Sequence, residues 1–323
     1  MLRRDVARGL LSALACWPFG SGQAQERATL TKLLVGFPPG GPIDGIARVL
    51  QAPLQEAMGT RVIIDYHSGA SGRIAVAMAS RAPATGQTLL ITPSAQFTIQ
   101  PHLSVDPPID PIRQLAPIAL IATTALCVVV ASDHPAQDMG ELREWFARHP
   151  ARANCGTPGS GSVAHLVTLA LSRQLDVAIT PVHYRGAAEM LAAVLEGSLH
   201  SAVAVPFAAL PLAQAGRVRL LATTSDTRPD ALPAVPTMRE SNLDIVASEW
   251  AGAFAPIGMG AQRLDSLNQA FCTAIAQPGV QSTFARYGLG AGAADRAQFT
   301  ALVHDDHARW GRVLKDTGVS AVS

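Results

Sequence analysis

The stretch Leu30-Thr31-Lys32-Leu33-Leu34-Val35-Gly36-Phe37-Pro38-Pro39-Gly40-Gly41-Pro42-Ile43-Asp44 decides the fold. Leu30–Gly36 is a short apolar run, too short for a helix and bounded by turn residues, so it reads as a strand. Phe37–Gly41 is the tight loop that follows. Apolar residues then recur at 46, 47, 49, 50, 54 and 57, the spacing of one helical face, so Ile43–Met58 is predicted to be a helix. Pro42 suits its first turn, where the missing N–H costs nothing. Gly59 suits its end, and Pro53 is expected to kink it.

The same unit recurs outward from there. Arg61–Asp65 reads as a strand, Gly69-Ala70-Ser71-Gly72 as a loop, Ile74–Arg81 as a helix and Thr88–Thr92 as a strand. Pro101 to Pro117 holds five prolines and reads as a long surface connection. Leu120–Ala131 is a very apolar strand region, and Met139–Ala147 a helix that Asp138 can cap. A second series starts at Ala153. It runs through the strand end and loop Asn154–Gly161, helix Ser162–Gln174, strand Val177–Tyr184, helix Ala187–Glu196, and strands Leu199–Val205 and Arg217–Thr224. Thr227–Pro236 is irregular, Val246–Ala255 a strand, and helices Ala261–Ala276 and Ala297–Thr317 close the chain.

Strand–helix alternation predicts an α/β fold of two lobes, each a mainly parallel sheet flanked by helices. With 323 residues, 48% of them hydrophobic, two cores of this size are affordable. The chain must then cross between lobes, near Ala122–Thr124 and Ala222–Ser225. Lobe one is expected over 25–123 and 224–323, and lobe two over 124–223.

Residues 1–24 read as a signal peptide and direct the chain to the periplasm. Arg3, Arg4 and Arg8 precede the apolar Gly9–Phe19, and Gly22-Gln23-Ala24 offers small residues for cleavage. The Arg3-Arg4 pair leaves twin-arginine export open beside the general route. The net charge of +1 and the lack of a basic stripe exclude nucleic acid as a partner. Cys127, Cys155 and Cys272 follow the leader, and their spacing specifies no pairing. Cys127, inside Ala125–Ala131, is expected to be a buried thiol.

Two loops carry candidate chemistry. In Phe37–Asp44 the glycines allow close backbone approach, and the next helix presents unpaired N–H groups to an anion such as a carboxylate. A plain tight turn reads equally well from the same residues. Asp44 is out of place in an anion site, and either caps its helix or holds the loop. Gly156-Thr157-Pro158-Gly159-Ser160-Gly161-Ser162 repeats the arrangement. Gly159–Ala164 fits the loose dinucleotide pattern G-x-G-x-x-A, but Asp176 lies too near to serve as its ribose acid, which belongs roughly 20 residues on. His165 is either a ligand contact or a structural residue bonded to backbone. No HExxH, Gly-x-Ser-x-Gly or P-loop motif occurs, so neither metal, cofactor nor catalytic residues are expected, and the chain reads as a binder and not an enzyme.

Several segments together resemble the Bug family, the extracytoplasmic receptors of tripartite tricarboxylate transporters. They are Phe37–Gly41 with Asp44 and Ala47-Arg48, Gly69–Gly72, Gly161-Ser162 with His165-Leu166, and Tyr184-Arg185-Gly186. To these add Arg228 with Leu232–Thr237, Trp250 with Gly252, and Trp310. The resemblance spans about Thr31 to Gly318. It implies a two-lobed periplasmic-binding-protein fold closing on a small carboxylate, and membrane transporter subunits as partners of a monomeric receptor. An orphan receptor feeding a signalling partner, or an enzyme using the same cleft, is the alternative. Carried over, the first-lobe contacts are Phe37, Pro38, Gly41, Ile43 and Asp44, with Ala70 and Ser94. The second-lobe contacts are Thr157, Ser160, Ser162 and His165. Ile43 stands where the family commonly has Thr, and Val203-Ala204 where it usually has Phe-Asp. With Ala204 in the site, the resemblance implies a monocarboxylate whose remainder is mostly uncharged.

Overall fold

The computed structural model describes residues 30–103, 109–292 and 294–317; the leader read over 1–24 lies outside them. In chain order the first elements are β1 (Leu30–Val35), α1 (Pro42–Met58), β2 (Arg61–Tyr66), α2 (Arg73–Arg81) and β3 (Thr88–Pro93). The short helices α3 (Ala95–Thr98), α4 (Gln100–Leu103) and α5 (Pro111–Gln114) precede β4 (Leu115–Ala125) and β5 (Cys127–Ala131). Then come α6 (Met139–Arg148), β6 (Asn154–Thr157), α7 (Val163–Leu175), β7 (Thr180–His183), α8 (Ala187–Leu195), β8 (Ser201–Ala204), α9 (Pro206–Gln214) and β9 (Val218–Thr223). The chain closes with β10 (Ser248–Pro256), α10 (Ala261–Ile275), α11 (Pro278–Arg286), β11 (Gly290–Ala291) and α12 (Arg296–Thr317).

Two sheets result, ordered β11-β4-β10-β3-β1-β2 and β7-β6-β8-β5-β9. Most strands of each sheet point the same way, as expected of mainly parallel sheets, and a few are reversed. β1 runs parallel to β2 and β3, but β10 runs antiparallel to β3 and β4, and β11 to β4. In the second sheet β6 is parallel to β7 and β8, while β5 is antiparallel to β8 and β9. The reversed strands are those adjoining the passage between sheets. β4 leaves the first sheet and becomes β5 of the second at Leu126, so neither is laid down by a helical crossover, which is what makes neighbours parallel.

Local chemistry explains how the first unit forms. Gly41 is the extended residue before α1, Pro42 begins the helix, and Gly59 ends it in the left-handed conformation at φ +63°. The helix runs on through Pro53. Its apolar face, Ile46, Ala47, Leu50 and Leu54, packs with Leu33, Val35, Leu267 and Phe271 in one core layer. Each such side chain, fully buried, is worth about 1.5–3 kcal/mol. On the sheet's other face Phe97 stacks on Phe254 at 3.8 Å, and Phe299 of α12 joins them.

Three strands of chain meet between the sheets. Thr224 N–H donates to Leu126 O (2.8 Å), and Leu126 N–H to Thr224 Oγ1 (2.9 Å). Thr224 Oγ1 also donates to Ala247 O (2.6 Å), and Ala247 N–H to Thr224 O (3.0 Å). Between the last two, residues 225–247 pack on the second sheet's layers through Leu232, Met238, Leu243 and Ile245. Gln174 of α7 clasps Asp244 through both backbone groups. Helix α12 serves both bodies: Phe299 and Val303 lie in the first sheet's core, whereas Trp310 and Leu314 share a cluster with α6 and α7.

Cys127, Cys155 and Cys272 are unpaired. Burial pushes the Cys127 thiol up to about 12, well out of the reactive range.

Candidate functional site

A cleft of about 460 Å³ opens between the two sheets, with a mostly apolar wall. Of the residues expected at the ligand, Phe37, Pro38, Gly41, Ile43, Ser160, Ser162 and Ala204 line it. Asp44, Ala70, Ser94, Thr157 and His165 do not; they lie behind or beside those that do.

The first loop is held from beneath. Asp44 is 3% exposed. Its Oδ2 accepts from Gly40 N–H (2.7 Å), and its Oδ1 from Arg48 Nε (2.8 Å) and Tyr66 Oη (2.5 Å). Burial works to raise its pKa, but the Gly40, Tyr66 and Arg48 donors together outweigh it and hold the carboxyl below its ordinary value. Of the two roles open to Asp44, the structure selects holding the loop. The negative charge is therefore answered within the protein, and the N–H groups of Gly41 and Ile43 at the start of α1 have no acceptor inside the helix.

The second loop has similar bracing. Ser162 caps α7: its Oγ accepts from His165 N–H (3.2 Å) and donates to Gly159 O (2.8 Å). His165 Nδ1 accepts from Gly161 N–H (3.2 Å), which leaves its own proton on Nε2. Burial first, then the neighbouring His183 ring 4.6 Å away, pushes His165 down to about 4, so it is neutral. Thr157, fully buried, pairs with His183 Nδ1 at 2.7 Å. Thr157 and His165 thus shape the loop, and Ser160 and Ser162 present it.

Ala70 is exposed beside the cleft while its neighbour Ser71 lines it; both are left-handed, at φ +47° and +53°, an uncommon conformation for residues other than glycine. Ser94 is buried, with Pro93 and Ala95 on either side at the wall.

The lobes touch across the cleft. Gln100 Nε2 donates to Ser160 O (2.6 Å), and a Cβ on Gly159 would come 2.9 Å from Ser71 Oγ. Phe207 of α9 lies so close over Gly45 of α1 that a Cβ there would meet its ring at 2.1 Å. The same ring packs against Tyr287 at 4.8 Å. The conformation is closed.

Three charged residues line the wall. Arg185 and Glu189 pair with each other at 3.2 Å on an exposed rim, an arrangement worth little. The third, Glu249 at the start of β10, was not singled out by sequence reasoning. It is only partly exposed, and burial pushes its carboxyl up to about 7. One acid in an otherwise apolar strand carries no periodic or motif signal, so only its place in the fold reveals it. Among the described residues, no group of three or more His, Cys, Asp or Glu could hold a metal ion.

Residues 46–319 match the family described as "Tripartite tricarboxylate transporter family receptor". Protein BugT of Bordetella pertussis is 29% identical over 289 residues, 89% of this chain and 89% of its own. Two solved structures from Rhodopseudomonas palustris are also similar. Rpa4515 with adipate is 28% identical with a TM-score of 0.87, covering 91% of this chain and 98% of its own. MatC with bound malate is 26% identical with a TM-score of 0.83, covering 88% and 98%. The chain belongs to the family of tripartite tricarboxylate transporter receptors, which are two-lobed periplasmic solute-binding proteins and not enzymes.

Proposed function

We propose that this receptor is exported by the leader at 1–24, captures a small carboxylate between its lobes as a monomer, and presents it to the membrane subunits of a tripartite transporter. One observation carries the reading: the loops opening α1 and α7 converge on the same cleft with their own acid and imidazole turned away. Backbone N–H groups and helix N-termini from both lobes are then free to share one carboxylate. That MatC is solved with malate and Rpa4515 with adipate supports the ligand class. We assign direct contact to Phe37, Pro38, Gly41, Ile43, Ser160, Ser162 and Ala204, and loop support to Asp44, Ala70, Ser94, Thr157 and His165. With Ile43 and Ala204 at the wall, nothing there satisfies a second buried anion, so a monocarboxylate fits best.

The packing of residues 225–247 supports a lobe boundary different from the expected one. We place lobe one at 30–125 with 248–292, lobe two at 127–247, and the hinge at Leu126, Thr224 and Ala247. Helix α12 belongs to both.

The test is Gly41→Val. Gly41 is extended (φ −87°, ψ 174°) and a Cβ there would lie 3.6 Å from Pro38 O, so the fold accepts the change. The added methyls stand where the ligand must approach. Titration calorimetry with short-chain carboxylates should show at least a tenfold loss, about 1.4 kcal/mol. Unchanged affinity would place the carboxylate elsewhere.

A further inference from the structure

Two acceptors in the cleft have no partner. Glu249 lines it, and among the described residues no hydrogen bond or ion pair reaches its carboxyl. Gln96 also lines it and is 4% exposed. Its Nε2 donates to Ser71 O at 2.5 Å, which fixes the amide's orientation and leaves Oε1 buried without a partner. The two lie on neighbouring segments. Ala251 of β10 pairs with Pro93 of β3, and Ser94 N–H donates to Trp250 O (2.7 Å), so Glu249 stands beside the chain leaving β3, where Gln96 sits. Buried polar groups are nearly always bonded, so the Gln96 Oε1 calls for a donor, and Glu249 adds a second acceptor on a neighbouring segment of the same cleft.

We infer that Glu249 and Gln96 form an acceptor pair that selects a ligand bearing a protonated amine on the same molecule as its carboxylate. This deepens the carboxylate reading and rests on it. An ammonium offers three donors and one positive charge, enough to serve both oxygens and to neutralise Glu249. A second carboxylate would face two acceptors and could bind only by taking a proton with it. A plain alkyl end would leave both unmet. The raised pKa of Glu249 agrees with a carboxyl that lacks its counter-ion in the ligand-free protein. Where Ile43 and Ala204 favour an uncharged remainder, Glu249 and Gln96 favour a cationic group beside the single carboxylate.

The experiment is calorimetry on the full mature protein with matched C4, C5 and C6 compounds: the plain monoacid, its α-amino and ω-amino derivatives, and the diacid of equal length. At one chain length or more an amino derivative should bind at least tenfold more tightly than both the plain acid and the diacid. In Glu249→Gln, and in Gln96→Met, that ratio should fall below threefold, with thermal melts confirming that each variant folds. A plain acid or a diacid that matches the amino compound in the wild type overturns the inference and leaves the carboxylate receptor standing. Failure of every compound to bind overturns both.

Discussion

Glu249 also bears on stability, because an acid held at about 7 in the fold ionises near 4.5 once unfolded. Between those values the folded chain keeps a proton that the unfolded chain releases. Its contribution is fully present below pH 4.5 and is lost as pH rises through about 7. Glu249→Gln should therefore stabilise the ligand-free protein by about 1–3 kcal/mol at pH 8 and by almost nothing at pH 4.5. Urea unfolding at the two pH values measures this, and an equal gain at both would place the Glu249 carboxyl at its ordinary value. Asp44 shows the opposite treatment of the same chemistry. It is more deeply buried than Glu249, yet Gly40, Arg48 and Tyr66 answer it fully, so its charge belongs to the architecture. Which acid is answered and which is left open cannot be read from either residue's neighbours in sequence. Arg48 lies one helical turn from Asp44, but Tyr66 comes from the adjacent strand, and the wall around Glu249 comes from both lobes.

Among the elements, the joint at Leu126, Thr224 and Ala247 is the most exposed to a single change. Thr224→Val keeps the volume and removes the oxygen that accepts from Leu126 N–H, orphaning a buried donor. A loss of about 1–3 kcal/mol is expected in denaturant unfolding, and a change within ±0.5 kcal/mol would mean that the joint relaxes to satisfy itself. The strand–loop–helix units on either side were legible in the sequence, since glycine, proline and a helix-capping serine punctuate them at Gly41-Pro42 and Ser162. What stayed illegible is non-local. Strand direction in β5 and β10 depends on partners far along the chain, so which strands would run against the rest of each sheet was not legible. Likewise, Leu232, Met238 and Leu243 give no sign in sequence of which body they will cover. Of the candidate site, residues that line the cleft were legible in its two loops, together with some, such as Thr157 and His165, that lie behind the lining. Bracing and contact differ by a side chain's direction, which spacing along the chain does not encode.

For the molecule as a whole, closure depends on Phe207 of one body resting where Gly45 of the other has no side chain. Gly45→Ala should leave both cores intact and hold the bodies apart, with a larger radius of gyration in X-ray scattering and about a tenfold weaker affinity for the ligand, or ~1.4 kcal/mol. Unchanged scattering would show that the ring swings aside at no cost. Helix α12 sets the other limit on this motion. Anchored by Phe299 in one core and by Trp310 in the other, and tied midway where Trp250 Nε1–H donates to Asp306 (2.8 Å), it must flex or slide whenever the cleft opens. Its stiffness therefore belongs to the energy of every bound complex, whatever the ligand. A lineage could retune how long cargo stays aboard by altering the outer turns of this one helix, leaving the chemistry that chooses the cargo untouched.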